Sequence, residues 1–187
     1  MSANAKETIL EAARKTVQAH GYGGLSYRDL AADVGIKAAS IYHHFASKAD
    51  LGAAVARRYW EDTAAELEAM LAETSDPVRC LRLYPDTFRR SLVDGNRLCL
   101  CSFMSAEHAN LPEGVRREAQ GFADVNIAWL GKVLALAGLV EPRDSEARAR
   151  AIFAAVSGAQ LYARSRSDVG QFDALIESYR ASGLLPA

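Results

Sequence analysis

Apolar positions along this chain recur with a helical period. Near its end Phe172, Leu175, Ile176 and Tyr179 fall at i, i+3, i+4 and i+7, which is one apolar stripe on an amphipathic helix. From about Pro112 to Leu139, Phe122, Val125, Trp129, Val133 and Leu136 fall on one side and Ile127, Leu130 and Leu134 on another. A helix apolar on both sides belongs at the centre of a bundle. Nowhere does a convincing period of two mark a strand. Proline supplies the punctuation: Pro77, Pro112 and Pro142 sit in polar, turn-like segments, each followed by a long stretch rich in Ala, Leu, Arg and Glu. Pro85 falls inside a helical stretch from about Asp76 to Asp94, so a kink is expected there. The pattern predicts an all-α fold.

Residues 25–50 are the informative region. Ser26 is a good N-cap with Asp29 three residues on, and Leu25 and Leu30 take the positions of a hydrophobic staple. Gly35 supplies the left-handed residue that ends this short helix. A second short helix starts after Ile36 and Lys37 and runs to about Phe45, and Ser47 with Asp50 caps a third. Two short helices around a Gly-containing turn are the helix-turn-helix signature. At about 100° per residue, an inward Ile41 puts Phe45 on its own side and Ala39 and His43 roughly opposite, flanked by Ser40 and Tyr42. The small Ala38 and Ala39 permit close approach, Ser40 and His43 can hydrogen-bond base edges, and Tyr42 can donate to a phosphate. Lys37 and Lys48 add positive charge, and the helix N-termini capped by Ser26 and Ser47 add backbone N–H groups.

Charge changes the picture only after the chain is divided. Over 187 residues, half hydrophobic and about a quarter charged, the formal net charge is −1, which excludes a uniformly basic coat and an acidic tail. Residues 1–60 carry eight Lys or Arg against five Asp or Glu, a net of +3, whereas residues 61–187 carry fourteen against eighteen, a net of −4. The basic part coincides with the helix-turn-helix. The opening MSANAKETIL lacks the order of a signal peptide, no apolar run reaches the roughly 20 residues of a membrane span, and three cysteines show no disulfide spacing. A soluble, cytoplasmic protein with no membrane partner is expected.

The stretch L-S-Y-R-D-L-A-A-D-V-G-I-K-A-A-S-I-Y-H-H-F-A-S-K-A-D-L, after a helix ending H-G-Y-G, resembles the DNA-binding segment of the TetR family of bacterial transcription regulators. The likeness covers roughly Ile9 to Leu51, and G-I-x-x-x-x-I-Y-H-H-F with S-K-x-x-L is its specific part. The weaker R-L-C-L-C-S-F-M-S-A-E, followed by L-P-E-G-V, resembles the C-terminal domain of one broad branch of the family. The resemblance implies a homodimeric, all-α repressor, with a helix-turn-helix domain over 1–50 and an effector-binding and dimerisation domain over 51–187. It implies backbone contacts at Tyr42, His44 and Lys48, and groove positions at Arg28, Lys37, Ala39, Ser40 and His43. Its partners would be a double-stranded, palindromic DNA operator and a small-molecule effector.

Candidate effector-pocket residues are Tyr84, Phe88, Leu92, Cys99, Phe103, Met104, Phe122, Trp129 and Tyr162, with His108, Asn126 and Gln160 as polar groups to orient a ligand. The aromatic ones serve equally well as plain core. For dimerisation the helices at about Ser145 to Arg164 and Val169 to Ala181 are favoured. Ala151, Ala154, Ala155, Gly158 and Ala159 permit close approach, and the stripe of Phe172, Leu175, Ile176 and Tyr179 would otherwise face water.

On a helix Cys99 and Cys101 project about 200° apart, which excludes joint chelation of one ion, so no metal is expected. Either thiol can be read as a small buried hydrophobe or as an electrophile or oxidant sensor whose pKa Arg97 lowers. No catalytic motif such as G-x-S-x-G, a P-loop or H-E-x-x-H is present, so neither enzyme activity nor a cofactor is expected.

Overall fold

The computed structural model describes residues 2–187, with side chains from residue 5 onward. All regular structure among these residues is helical: α1 (Ser2–His20), α2 (Tyr27–Val34), α3 (Ala38–His44), α4 (Lys48–Thr74), α5 (Pro77–Val93), α6 (Leu100–Ala106), α7 (Glu113–Leu136), α8 (Ser145–Arg166) and α9 (Val169–Ala181). Short 3-10 turns lie at His108–Asn110 and Pro142–Asp144. The helix ends follow local chemistry. Pro77 opens α5, where its missing N–H costs nothing, and Asp76 accepts from Arg79 N–H at 3.0 Å. Asp168 caps α9 by accepting from Gly170 N–H at 2.9 Å. α5 continues on both sides of Pro85.

The chain divides into two compact units. The first comprises the residues up to Glu61 together with Cys99–Phe122, and the second comprises Asp62–Leu98 with Ala123–Ala187. α4 and α7 each contribute residues to both. In the first unit α1 packs on α2, α3 and α6, and Ile9, Val17, Leu30, Ile41, Phe45 and Leu51 are buried. In the second, α5, α8 and α9 pack on one another around Leu81, Tyr84, Ile152, Val156, Phe172 and Ile176.

That packing corrects the reasoning behind the α9 stripe. Phe172 is 1% exposed and Ile176 4% within a single chain, because α9 turns this stripe onto its own neighbours. A bidentate pair from Arg89 Nε and Nη2 to Asp173, at 2.7 and 2.9 Å, ties α5 to α9. Ala159 is buried too, Ala155, Leu175 and Tyr179 are half-buried, and only Ala151, Ala154 and Gly158 of the expected interface set are exposed. The faces actually left outward carry Ala147, Ala151, Ala154, Gly158 and Leu161 on α8, and Gly170, Ala174, Ser178 and Ala181 on α9. Leu136, expected to pack, is also exposed.

Candidate nucleic-acid interface

The head is set by short-range interactions. Ser26 is extended, at φ −138° and ψ 126°, and its Oγ accepts from Asp29 N–H at 3.4 Å. The Asp29 carboxylate accepts from Arg28 Nε at 3.3 Å. Leu25 and Leu30 are both buried, as a staple requires. Gly35 adopts φ 73°, and the chain leaves α2 through Gly35 N–H to Ala32 C=O at 3.2 Å and Ile36 N–H to Ala31 C=O at 2.9 Å. This is a Schellman-type ending, which aims the chain into α3. Ser47 caps α4: its Oγ accepts from Asp50 N–H at 3.1 Å and donates to the Asp50 carboxylate at 2.8 Å.

These joints fix which side of α3 is hidden. Ile41 and Phe45 are buried, whereas Ala39, Ser40, Tyr42 and His43 are exposed, together with Lys37 just before the helix and Arg28 on α2. Tyr42, 59% exposed, lays its ring 4.6 Å from that of Tyr27. His44 is half-buried, its ring 5.3 Å from His43 and 6.4 Å from Phe45. Lys48 is half-buried as well; its Nζ donates to Gly23 C=O at 3.0 Å and lies 4.8 Å from the centre of the Tyr22 ring. Ser26 is half-buried and engaged as a cap.

Sequence reasoning passed over Tyr27. Its hydroxyl donates to Phe45 C=O at 3.0 Å in the buried seam between α2 and α3, satisfying the carbonyl just beyond the end of α3. Burial first, then the Asp50 carboxylate, pushes this phenol up to about 12, so it stays a neutral donor. An aromatic directly after an N-cap Ser was the available signal.

The proposed effector residues fall into different surroundings. In the second unit Tyr84, Phe88, Leu92, Asn126, Trp129 and Gln160 are buried. Tyr84 donates to Asn126 Oδ1 at 2.9 Å and stacks on Trp129 at 5.9 Å and 22°, and Gln160 Nε2 donates to Phe88 C=O at 2.7 Å. Trp129 Nε1 is buried without a hydrogen-bond partner. Tyr162, 42% exposed, lies at the surface beneath Arg166 and is not part of this cluster. In the first unit Cys99, Met104 and Phe122 are buried, Phe103 is half-buried, and His108 is exposed on its 3-10 turn, so it lines no interior. Tyr59, which the sequence did not single out, is buried against Phe122 at 5.4 Å with Arg14 over its ring at 4.8 Å.

The cysteines also need correction. Cys99 is the N-cap residue of α6 and not a residue within a helix. Burial pushes its thiol up, and burial with the neighbouring Cys99 and Glu118 pushes Cys101 well up, the opposite of the lowering expected from Arg97. Arg97 pairs instead with Asp94 at 2.7 Å. Among the described residues no group of three His, Cys, Asp or Glu side chains could hold a metal, and no helix is long and apolar enough to cross a membrane.

A helix-turn-helix whose second helix shows a polar, small-residue face, at the front of an all-α chain, marks the class of helix-turn-helix DNA-binding proteins. Residues 9–55 match the family model described as bacterial regulatory proteins, tetR family. Over 68 residues the chain is 38% identical to the HTH-type transcriptional repressor AcnR of Corynebacterium diphtheriae, a match covering 36% of this chain and only 34% of that protein's length. Likeness to solved structures is nearly end to end. A TetR-family transcriptional regulator from Agrobacterium tumefaciens is 31% identical, with 94% of this chain and 95% of that one covered and a TM-score of 0.86. A TetR transcriptional regulator from Legionella pneumophila is 29% identical, with 95% and 96% covered and a TM-score of 0.88. The chain belongs to the TetR family of bacterial transcriptional regulators.

Proposed function

We propose that this chain is a dimeric repressor that reads a two-fold related operator through α3 and leaves it when a small molecule binds. One observation carries the reading: α3 buries Ile41 and Phe45 while turning Ala39, Ser40, Tyr42 and His43 outward. A short helix with that face fits the major groove, with Ser40 and His43 at base edges and Tyr42, His44 and Lys48 on the backbone. Arg28 and Lys37 stand near the groove in this scheme, and Ser26 acts through its cap. Residues 1–50 form the DNA-binding part and residues 51–187 the effector and dimerisation part.

The effector half of the proposal draws on the buried cluster of the second unit. Tyr84, Phe88, Asn126, Trp129 and Gln160 form a buried, largely aromatic cluster with few polar groups, and the unpartnered Trp129 N–H offers a donor to a ligand. Release then follows from differential binding of that ligand to two states of the protein. Thiol sensing through Cys99 or Cys101 ranks below this reading, since buried, raised thiols carry little thiolate. For the dimer, the outward small-residue faces of α8 and α9 replace the buried stripe; Ala151→Glu is expected to convert a dimer to monomers by analytical ultracentrifugation.

Titration of a labelled operator duplex over a range of salt tests the DNA reading. Lys48→Ala should weaken binding to all duplexes and lower the salt slope by about one. His43→Ala should alter preference at one position in each half-site, and an equal loss on every operator variant would remove His43 from base reading.

A further inference from the structure

We propose that Glu107, far outside the helix-turn-helix in sequence, is a positioning residue for DNA binding that holds the turn presenting Lys48. Glu107 is the C-cap residue of α6, and its carboxylate accepts from Tyr22 N–H at 2.6 Å and from Gly23 N–H at 3.2 Å. Both amides belong to the turn that leaves α1, where Gly21 takes φ 71°. A Cβ at Gly21 would stand 2.4 Å from Glu107 Oε2 and 2.8 Å from Phe103 Cε1. Glycine takes that φ without strain and leaves the space the carboxylate occupies, since a side chain there would push Glu107 and Phe103 aside.

The other side of the same turn holds Lys48. Gly23 gives its N–H to Glu107 and accepts Lys48 Nζ at its carbonyl at 3.0 Å, while the Tyr22 ring lies 4.8 Å from the ammonium. One residue thus joins a carboxylate to an ammonium through charge-assisted hydrogen bonds on both of its backbone groups. A free lysine has many rotamers to lose on meeting a phosphate. Anchoring Nζ by one of its three donors removes most of that cost and leaves two donors for the phosphate. Glu107 acts through this turn and touches no DNA in this scheme.

The inference rests on the reading of Lys48 as a phosphate contact, and the sign of one substitution separates positioning from simple charge. A carboxylate acting only by its charge repels DNA, so its loss would tighten binding. A carboxylate that positions Lys48 weakens binding when it is lost.

The test is a double-mutant cycle on the full chain with Glu107→Ala, Lys48→Ala and the double variant, titrated with a labelled operator duplex recovered from a random pool, across salt, with thermal melts alongside. Glu107→Ala is expected to weaken binding about 3- to 10-fold with a reduced salt slope, and to cost less than about 2-fold in the Lys48→Ala background. Glu107→Gln, which keeps one acceptor oxygen, should fall between parent and Glu107→Ala; it replaces Glu107→Ala in the cycle if the latter fails to fold. Tighter binding by the Glu107 variants, or losses that multiply independently in the double variant, would overturn the proposal. If Lys48→Ala alone leaves affinity unchanged, the phosphate reading of Lys48 fails and this inference falls with it.

Discussion

Two regions of the molecule use similar side chains in opposite ways. On α3, Ser40, Tyr42 and His43 are turned to solvent from a helix whose other side is sealed by Ile41 and Phe45. In the second unit, Tyr84, Asn126 and Gln160 are buried and bonded internally. Buried polar groups must find partners inside the chain, or stability suffers. Outward polar groups on a short helix are open to partners on another molecule. The contrast separates what maintains the fold from what the fold displays.

The display of α3 depends most on its hydrophobic footing. Ile41→Ala, at a fully buried site, is expected to cost about 2–5 kcal/mol through lost transfer energy and a cavity, read as an early melting of the head in urea or heat. DNA binding should vanish with it. If binding survives unchanged, α3 is not held by Ile41.

Paired tyrosine substitutions sharpen it. Tyr84→Phe deletes the hydroxyl that donates to buried Asn126 Oδ1 and should destabilise the protein by about 1–3 kcal/mol, while base preference stays as in the parent. Tyr42→Phe makes the same chemical change on an exposed ring. Stability should move by no more than about 0.5 kcal/mol, while operator affinity falls several-fold. Reversed outcomes in melts and titrations would show that the two regions have been assigned the wrong way round.

The smallest expected effect is a pH dependence. Glu118 accepts from Arg57 Nη2 at 2.5 Å and from Trp60 Nε1 at 3.2 Å. The hydrogen bond from Arg57 is the main reason its carboxyl lies below the ordinary glutamate range. A depressed carboxyl stabilises the fold at pH values above its unfolded pKa, and the contribution is lost as pH falls through the folded value. Glu118→Gln should therefore show a shallower loss of stability in acid than the parent, by thermal melts between neutral pH and pH 3.

The head was legible in the sequence because its determinants are local. Ser26, Leu25, Leu30 and Gly35 act within a few residues, and α3's buried and exposed sides follow from its period once Ile41 is placed inward. Helix α9 was legible to its ends, but not what covers it. An amphipathic stripe states that a face is buried and leaves open whether by its own chain or a partner. Phe172 and Ile176 are covered by the same chain, which no pattern within α9 encodes. His108 and Tyr162 were chosen for their chemistry, yet the turn carrying His108 and the outward position of Tyr162 on α8 leave both at the surface. Glu107 was invisible for a related reason: its partners, the amides of Tyr22 and Gly23, lie more than eighty residues away along the chain.

The central claim is that the outward face of α3 reads base sequence, and selection of bound duplexes from a random pool tests it most directly. The parent should enrich a two-fold related sequence, and His43→Ala should enrich the same spacing with altered preference at one position in each half-site. Absence of any enriched sequence, or recovery of the unaltered sequence by His43→Ala at uniformly lower affinity, would contradict it.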